Sequence, residues 1–204
     1  MNKLVVFFKI ILYPIYRTLF WYSIEGLENL PKSGGYIFCS NHISAIDAVL
    51  WILKFPARIH FMAKAELFKI PILRGLFYKV DVFPVDRGSG DMQSINKAID
   101  IVKSGDVLGI FPEGTRSKDG KPGRPKSGAA YISNLAEGAP VVPAAVVCKD
   151  GKLRPFKKIK LIIGKPIPYS EIKFQEGDRK NLRRVSTLIM DHITGLWEKG
   201  QNEL

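Results

Sequence analysis

The chain has 204 residues, 46 % of them apolar and 25 % charged, which excludes a disordered chain and a polytopic membrane protein and fits one domain with a real core. Lysine and arginine number 31 against 19 acids, a formal charge of +12, so the partners to expect are anionic: nucleic acid, an acidic bilayer or phosphorylated substrates. Two cysteines, Cys39 and Cys148, lie in apolar runs; they make no disulfide framework and read as buried thiols of a reducing compartment.

The first segment, LVVFFKIILYPIYRTLFWY, is apolar from Leu4 to Tyr22 but interrupted by Lys9, Pro14 and Arg17. A spanning helix needs about 18 apolar residues with few charges, and the unbroken stretches Leu4–Phe8 and Ile10–Tyr13 are far shorter. A signal peptide would need a small-residue cleavage site after its apolar core, and FWYSIEGLENL offers a poor one. Bulky aliphatic and aromatic residues mixed with cations predict an amphipathic helix lying in the headgroup region over residues 1–22, ahead of a folded domain at 23–204.

GLENLPKSGG (26–35) reads as a turn-rich entry and YIFCS (36–40) as a short apolar strand. AIDAVLWILKF (45–55) has a helical pattern that ends before Pro56. RIHFMA (58–63) is a second strand, and residues 66–80, ELFKIPILRGLFYKV, are apolar and aromatic with scattered cations. After an extended VFPV (82–85) comes a well-marked helix. Asp91 is its N-cap, Ile95, Ala98, Ile99 and Val102 share one face, and Gly105 is the stop. VLGIF (107–111) is a strand, residues 127–138 are helical, and APVVPAAVV (139–147) and IKLIIG (159–164) are strands. The last helix begins near Asp178, carries Leu182, Val185, Leu188, Ile189, Ile193 and Leu196 at helical spacing, and stops at Gly200. Continuous apolar strands alternating with helices predict an α/β fold. The expected architecture is a mixed, largely parallel sheet covered by helices, with the N-terminal amphipathic helix as a membrane-associating addition.

Ligands of such sheets sit beyond the carboxyl ends of the strands, and two polar segments fall there. The first is CSNHISAID, with His42 just past a strand and Asp47 five residues on. Residues five apart on a helix point about 140° away from each other, so His42 must precede the helix and fold back for Asp47 to reach its ring. Ser44-x-x-Asp47 also has the form of a capping box, and the two roles are compatible. A carboxylate on one ring nitrogen fixes the tautomer and leaves the other as a base. No G-x-S-x-G elbow is present, and His42, His60 and His192 are scattered without a metal-ligand spacing. Such a dyad would act on a hydroxyl that the substrate brings. The second segment is GIFPEGTRSKDG (109–120). Its Gly114 lets backbone amides approach an oxyanion, Thr115 and Ser117 donate hydrogen bonds, and Arg116 offers a fork suited to phosphate. Arg87 in VFPVDRG and Lys64 in MAKAELF follow two further strands.

Taken together and in order, NHISAID, AKAELFKIPILRG, FPVDRG, FPEGTRS and VVPAAV resemble the motif blocks of the glycerolipid acyltransferases, over about residues 37–147. Within them the likeness is to the small bacterial enzymes that acylate 1-acylglycerol-3-phosphate. The resemblance implies that His42, oriented by Asp47, takes the proton of the free 2-hydroxyl of lysophosphatidic acid, and that this oxygen attacks the thioester of acyl-CoA or acyl-carrier protein. It implies that Arg116, Arg87 and Lys64 hold the phosphate. Asn41, Glu113, Gly114 and Thr115 would shape the acceptor pocket, with Glu113 contacting the glycerol or buttressing the arginines. Backbone N–H groups after His42 are candidates for the oxyanion hole. No cofactor or metal is implied. The expected place is the cytoplasmic face of the cell membrane, on anionic lipids, with the first helix and Leu67–Lys79 as a docking face and the basic run Lys149–Lys160 as a possible addition to it or a solvated hairpin. Glycerol 3-phosphate or another lysophospholipid is the rival acceptor. A nucleic-acid partner is disfavoured, because the aromatic residues lie in apolar segments rather than among the cations.

Overall fold

In the computed structural model the described residues are 10, 11, 14, 18–86, 91–136 and 138–204. The helix expected over 1–22 therefore lies mostly outside the described residues, as does Arg87.

Seven strands form one sheet in the order β1-β7-β6-β2-β5-β3-β4. They are β1 (Trp21–Glu25), β2 (Tyr36–Ser40), β3 (Ile59–Lys64), β4 (Val82–Val85), β5 (Val107–Ile110), β6 (Val141–Cys148) and β7 (Lys158–Ile163). Every pairing is parallel except the β6–β7 hairpin. The mixed, largely parallel sheet read from the apolar runs is thus present, and burial explains the runs: all residues of β2, β5 and β6 are buried. The difference from the sequence reading is β1. Trp21 and Tyr22, assigned above to the N-terminal helix, pair with Lys158 and Ile159 of β7. A polar sheet-edge register hidden inside an aromatic run leaves no periodic signal.

The helices are α1 (Asp47–Lys54), α2 (Pro71–Lys79), α3 (Met92–Lys103), α4 (Gly128–Leu135), α5 (Tyr169–Ile172) and α6 (Arg179–Asn202). α3 is capped by Asp91, whose side chain accepts from the Ser94 N–H, and α6 by Asp178, which accepts from the Asn181 N–H. Alternation in β2 divides the core. Ile37 and Cys39 pack with residues of α3, α4 and α6 on one face. Tyr36 and Phe38 pack with Trp51 and Phe55 on the other, where the Phe38 and Trp51 rings meet edge to face at 4.8 Å.

The register aligns the carboxyl ends of the parallel strands. Cys39 is level with Ile110, Phe61 with Gly109, and Lys64 with Val85. His42, Lys64 and the loop after β5 accordingly share one rim of the sheet. Because β6 is parallel to β2, the β6–β7 turn rises at that same rim, and antiparallel β7 and β1 begin there.

Candidate active site

β2 runs out of the core into a tight turn, and α1 starts at Asp47. The turn is built around one carboxylate oxygen. Asp47 Oδ2 accepts from the backbone N–H groups of Ile43 at 2.7 Å and Ser44 at 2.8 Å, and lies 2.9 Å from His42 Nδ1. The expected capping box is not formed: the helix cap is Ile46 and no side chain caps it, and the Ser44 N–H is bound by Asp47 within the preceding turn. Asp47 is fully buried and the His42 side chain is 17 % exposed. A carboxylate that already takes two N–H groups demands a third donor, so Nδ1 carries the proton and Nε2 is left as the basic nitrogen. The amides of Ile43 and Ser44, candidates for an oxyanion hole, are engaged by Asp47 instead.

The ring is fixed on its flat side too. Phe111 stacks on it with centroids 4.1 Å apart and planes 13° from parallel, and Phe61 stacks behind Phe111 at 5.4 Å. That column stands because position 109 is glycine: a Cβ there would lie 2.4 Å from the Phe61 ring. The sequence reading quoted these residues but gave them no role; a glycine inside a buried strand, marking a close approach, was the available signal.

Glu113 is 4 % exposed and accepts from the His42 N–H at 2.9 Å; it also takes the Gly123 N–H. Burial, with the nearby charges of Asp47 and Asp119 adding, pushes its carboxyl up to about 7. It holds the backbone on which the imidazole hangs, a role the sequence did not suggest. The Ser117 N–H closes the pairing by donating to the His42 carbonyl at 2.7 Å. Gly114 turns the loop at φ +64°, and the Lys126 side chain lies over it, 2.8 Å from where a Cβ would stand. Lys126 is thus a cation at the loop that the sequence reading missed. Thr115 and Arg116 are exposed, and Lys64 is exposed and paired with Glu66 at 2.8 Å.

Asn41 differs from expectation. It is fully buried, donates to the Val146 carbonyl at 3.0 Å and accepts from the Val146 N–H at 2.7 Å. Each end of its amide makes one bond that clamps β2 to β6, so it sets the height of His42 from a fully buried position. Neither cysteine supplies a nucleophile. Burial raises both thiols, Cys148 to about 12. Among the described residues no cluster of His, Cys, Asp and Glu has the makings of a metal site. Among the described residues the arrangement is a base without a thiol nucleophile, beside an exposed basic loop.

Comparison with known proteins agrees. A family model described as Acyltransferase matches residues 22–147. The 1-acyl-sn-glycerol-3-phosphate acyltransferase of Bacillus subtilis (strain 168) is 38 % identical over 148 residues, which cover 71 % of this chain and 73 % of that protein. A chloroplastic 1-acyl-sn-glycerol-3-phosphate acyltransferase of Brassica napus is 34 % identical over 170 residues, 78 % of this chain and 47 % of that one. The crystal structure of PlsC, the 1-acyl-sn-glycerophosphate (LPA) acyltransferase of Thermotoga maritima, superposes with a TM-score of 0.73 at 26 % identity, covering 99 % of this chain and 78 % of that one. Since the matched region takes in His42, Asp47, the loop that braces them and all the strands between, the chain belongs to the Acyltransferase family.

Proposed function

We propose that the chain transfers a fatty acyl group from a thioester, acyl-CoA or acyl-carrier protein, to the 2-hydroxyl of 1-acyl-sn-glycerol 3-phosphate, giving phosphatidic acid for phospholipid synthesis. The observation that carries this reading is the dyad: a histidine whose Nδ1 is held at 2.9 Å by a buried aspartate, with neither thiol able to serve as nucleophile. Nε2 takes the proton of the acceptor hydroxyl as its oxygen attacks the thioester carbonyl. The carbon–sulfur bond then breaks, and the imidazolium returns the proton to the leaving thiolate. Asp47 stabilises the imidazolium between these steps.

Arg116, Arg87 and Lys64 bind the phosphate in this reading, Lys64 exchanging Glu66 for it, while Gly114 and Thr115 shape the pocket beside them. The lipid nature of acceptor and product puts the rim at a membrane surface. Among the described residues no helix is long and apolar enough to cross a bilayer. α2, with its preceding turn, is the interfacial candidate: Leu67, Ile70, Ile72, Leu76 and Tyr78 are all exposed among Lys69, Arg74 and Lys79, on anionic lipid at the cytoplasmic face.

Purified protein offered several lyso-acceptors with both donor types, followed by product mass, tests the reading. Phosphatidic acid is the expected product; a preference for glycerol 3-phosphate or an uncharged acceptor rejects the acceptor assignment. His42→Ala should lower turnover by about 10³-fold with the thermal transition kept, and retained turnover removes the base role.

A further inference from the structure

We infer that the groove between the β6–β7 turn and the start of β1 binds the phosphorylated nucleotide end of acyl-CoA, a role that rests on the acyltransferase reading. The groove encloses about 500 Å³, and its walls carry Lys149, Lys152, Lys157 and Lys158 against one acid, Asp150, with Trp21 and Phe156 between them. All four lysines are exposed. Each aromatic side chain is 60 % exposed, in a chain whose core buries aromatic residues freely. Phe156 is moreover held with φ +63°, a region that bulky residues avoid, by donating its N–H to the Leu19 carbonyl at 2.6 Å. Strain that keeps an aromatic ring in the open is the mark of a surface with a use. Four lysines and two exposed aromatic rings lining one groove fit a ligand with several phosphates and a planar base, one element bound by charge and the other by stacking. Its lysine-lined cavity separates this surface from the exposed apolar residues of α2, which suit a bilayer.

Position joins the groove to the dyad. Trp21 is level with Lys158 and Cys148 with Ile159, so the groove stands at the rim that holds His42. It spans the strands one to three places from β2, about 5–14 Å at ~4.8 Å per strand, a distance that an extended pantetheine arm covers. The β6–β7 turn also touches the loop carrying Glu113 and Arg116. Gly120 and Gly151 cross so closely that a Cβ on Gly120 would lie 2.1 Å from the Gly151 Cα. A nucleotide seated in the groove therefore lays its thioester arm over this crossing toward Nε2.

The test compares wild type with the double variant Lys152→Glu, Lys157→Glu, using acyl-CoA, the same acyl group on pantetheine, acyl-carrier protein, and adenosine 3′,5′-bisphosphate as the nucleotide end alone. Wild type should favour acyl-CoA over acyl-pantetheine in KM by about tenfold or more, and the variant should lose that preference, with KM for the lyso-acceptor within about twofold. Equilibrium dialysis of adenosine 3′,5′-bisphosphate should show binding that weakens about tenfold in the variant, a readout independent of turnover. Thermal transitions of the two proteins verify that both are folded. An unaltered donor preference together with unaltered dialysis overturns the inference. So does a KM that rises for the carrier-protein donor alone, which assigns the groove to an acidic protein, or a loss confined to binding of phosphatidylglycerol vesicles, which assigns it to the membrane. Failure of the wild type to turn over any donor with any acceptor refutes the acyltransferase reading itself, and dialysis still decides whether the groove holds a nucleotide.

Discussion

Asp47 Oδ2 gathers two backbone N–H groups and one imidazole N–H onto a single atom, so the turn, the helix start and the base tautomer are one structure. This is why the pair was legible in sequence: an acid at a helix start and a histidine five residues before it meet only if the chain folds back between them, which a strand–turn–helix does. Glu113 was legible only as a motif letter, because its partners, His42 and Gly123, come from distant segments. Its titration gives a direct check. Folded, burial holds the carboxyl up at about 7; unfolded, it returns to 4.5. The neutral form is thus favoured by folding, and Glu113's contribution to stability is whole below 4.5 and lost as the pH rises to about 7. Glu113→Gln removes this dependence. The variant should be less stable at low pH, for want of one acceptor, and should gain on wild type by about 1 kcal/mol per pH unit at most between 4.5 and 7, then hold level. Urea unfolding of both proteins across pH 4–8 measures the difference; a constant offset over the whole range would show that the Glu113 carboxyl titrates alike in the folded and unfolded chain.

At the scale of elements, strands buried on both faces gave unambiguous apolar runs, and helices with side-chain caps gave clear starts at Asp91 and Asp178. α2 gave a mixed signal for a physical reason. None of its nine residues is fully buried, and only Leu73 and Phe77, four apart, are half-buried, so its core-facing stripe is narrow, and the run is split by Pro71 at its first turn into a short 3-10 turn and a helix. Phe77 packs on the core and on Phe68, but Ile72, Leu76 and the flanking Leu67 and Ile70 stay exposed, and such an apolar patch is a surface for something apolar outside the chain. Ile72, 83 % exposed, is its outermost apolar residue. Ile72→Glu should lower partition onto anionic vesicles by about tenfold, through lost apolar contact and added repulsion, without shifting the thermal midpoint, since no packing is disturbed. Co-sedimentation reads this directly; undiminished pelleting would move the membrane contact off α2.

The whole molecule explains why the site was only partly readable. A parallel sheet sends its strand ends to one rim, so finding SNH and PEGTRS after apolar runs was enough to bring them together. What bonds them was not local: the Asn41 clamp to Val146, the Gly109–Phe61–Phe111 column beneath the imidazole and the Gly120–Gly151 crossing each depend on which strands are neighbours. The same long-range pairing corrects where the N-terminal segment ends. Phe20 is buried in the core, the Leu19 carbonyl anchors the β6–β7 turn, and Trp21–Glu25 closes the sheet along β7. Cutting at residue 22 would therefore remove a core phenylalanine, worth about 3–5 kcal/mol, along with part of a strand. Cutting after residue 17 leaves all of these in place. The shorter deletion should keep the thermal midpoint within about 3 °C of the full chain while losing about tenfold in vesicle binding. The longer one should lower the midpoint by about 10 °C. Vesicle binding undiminished by the shorter cut would assign anchoring to α2 alone, and a stable protein after the longer cut would mean that β1 is dispensable to the sheet.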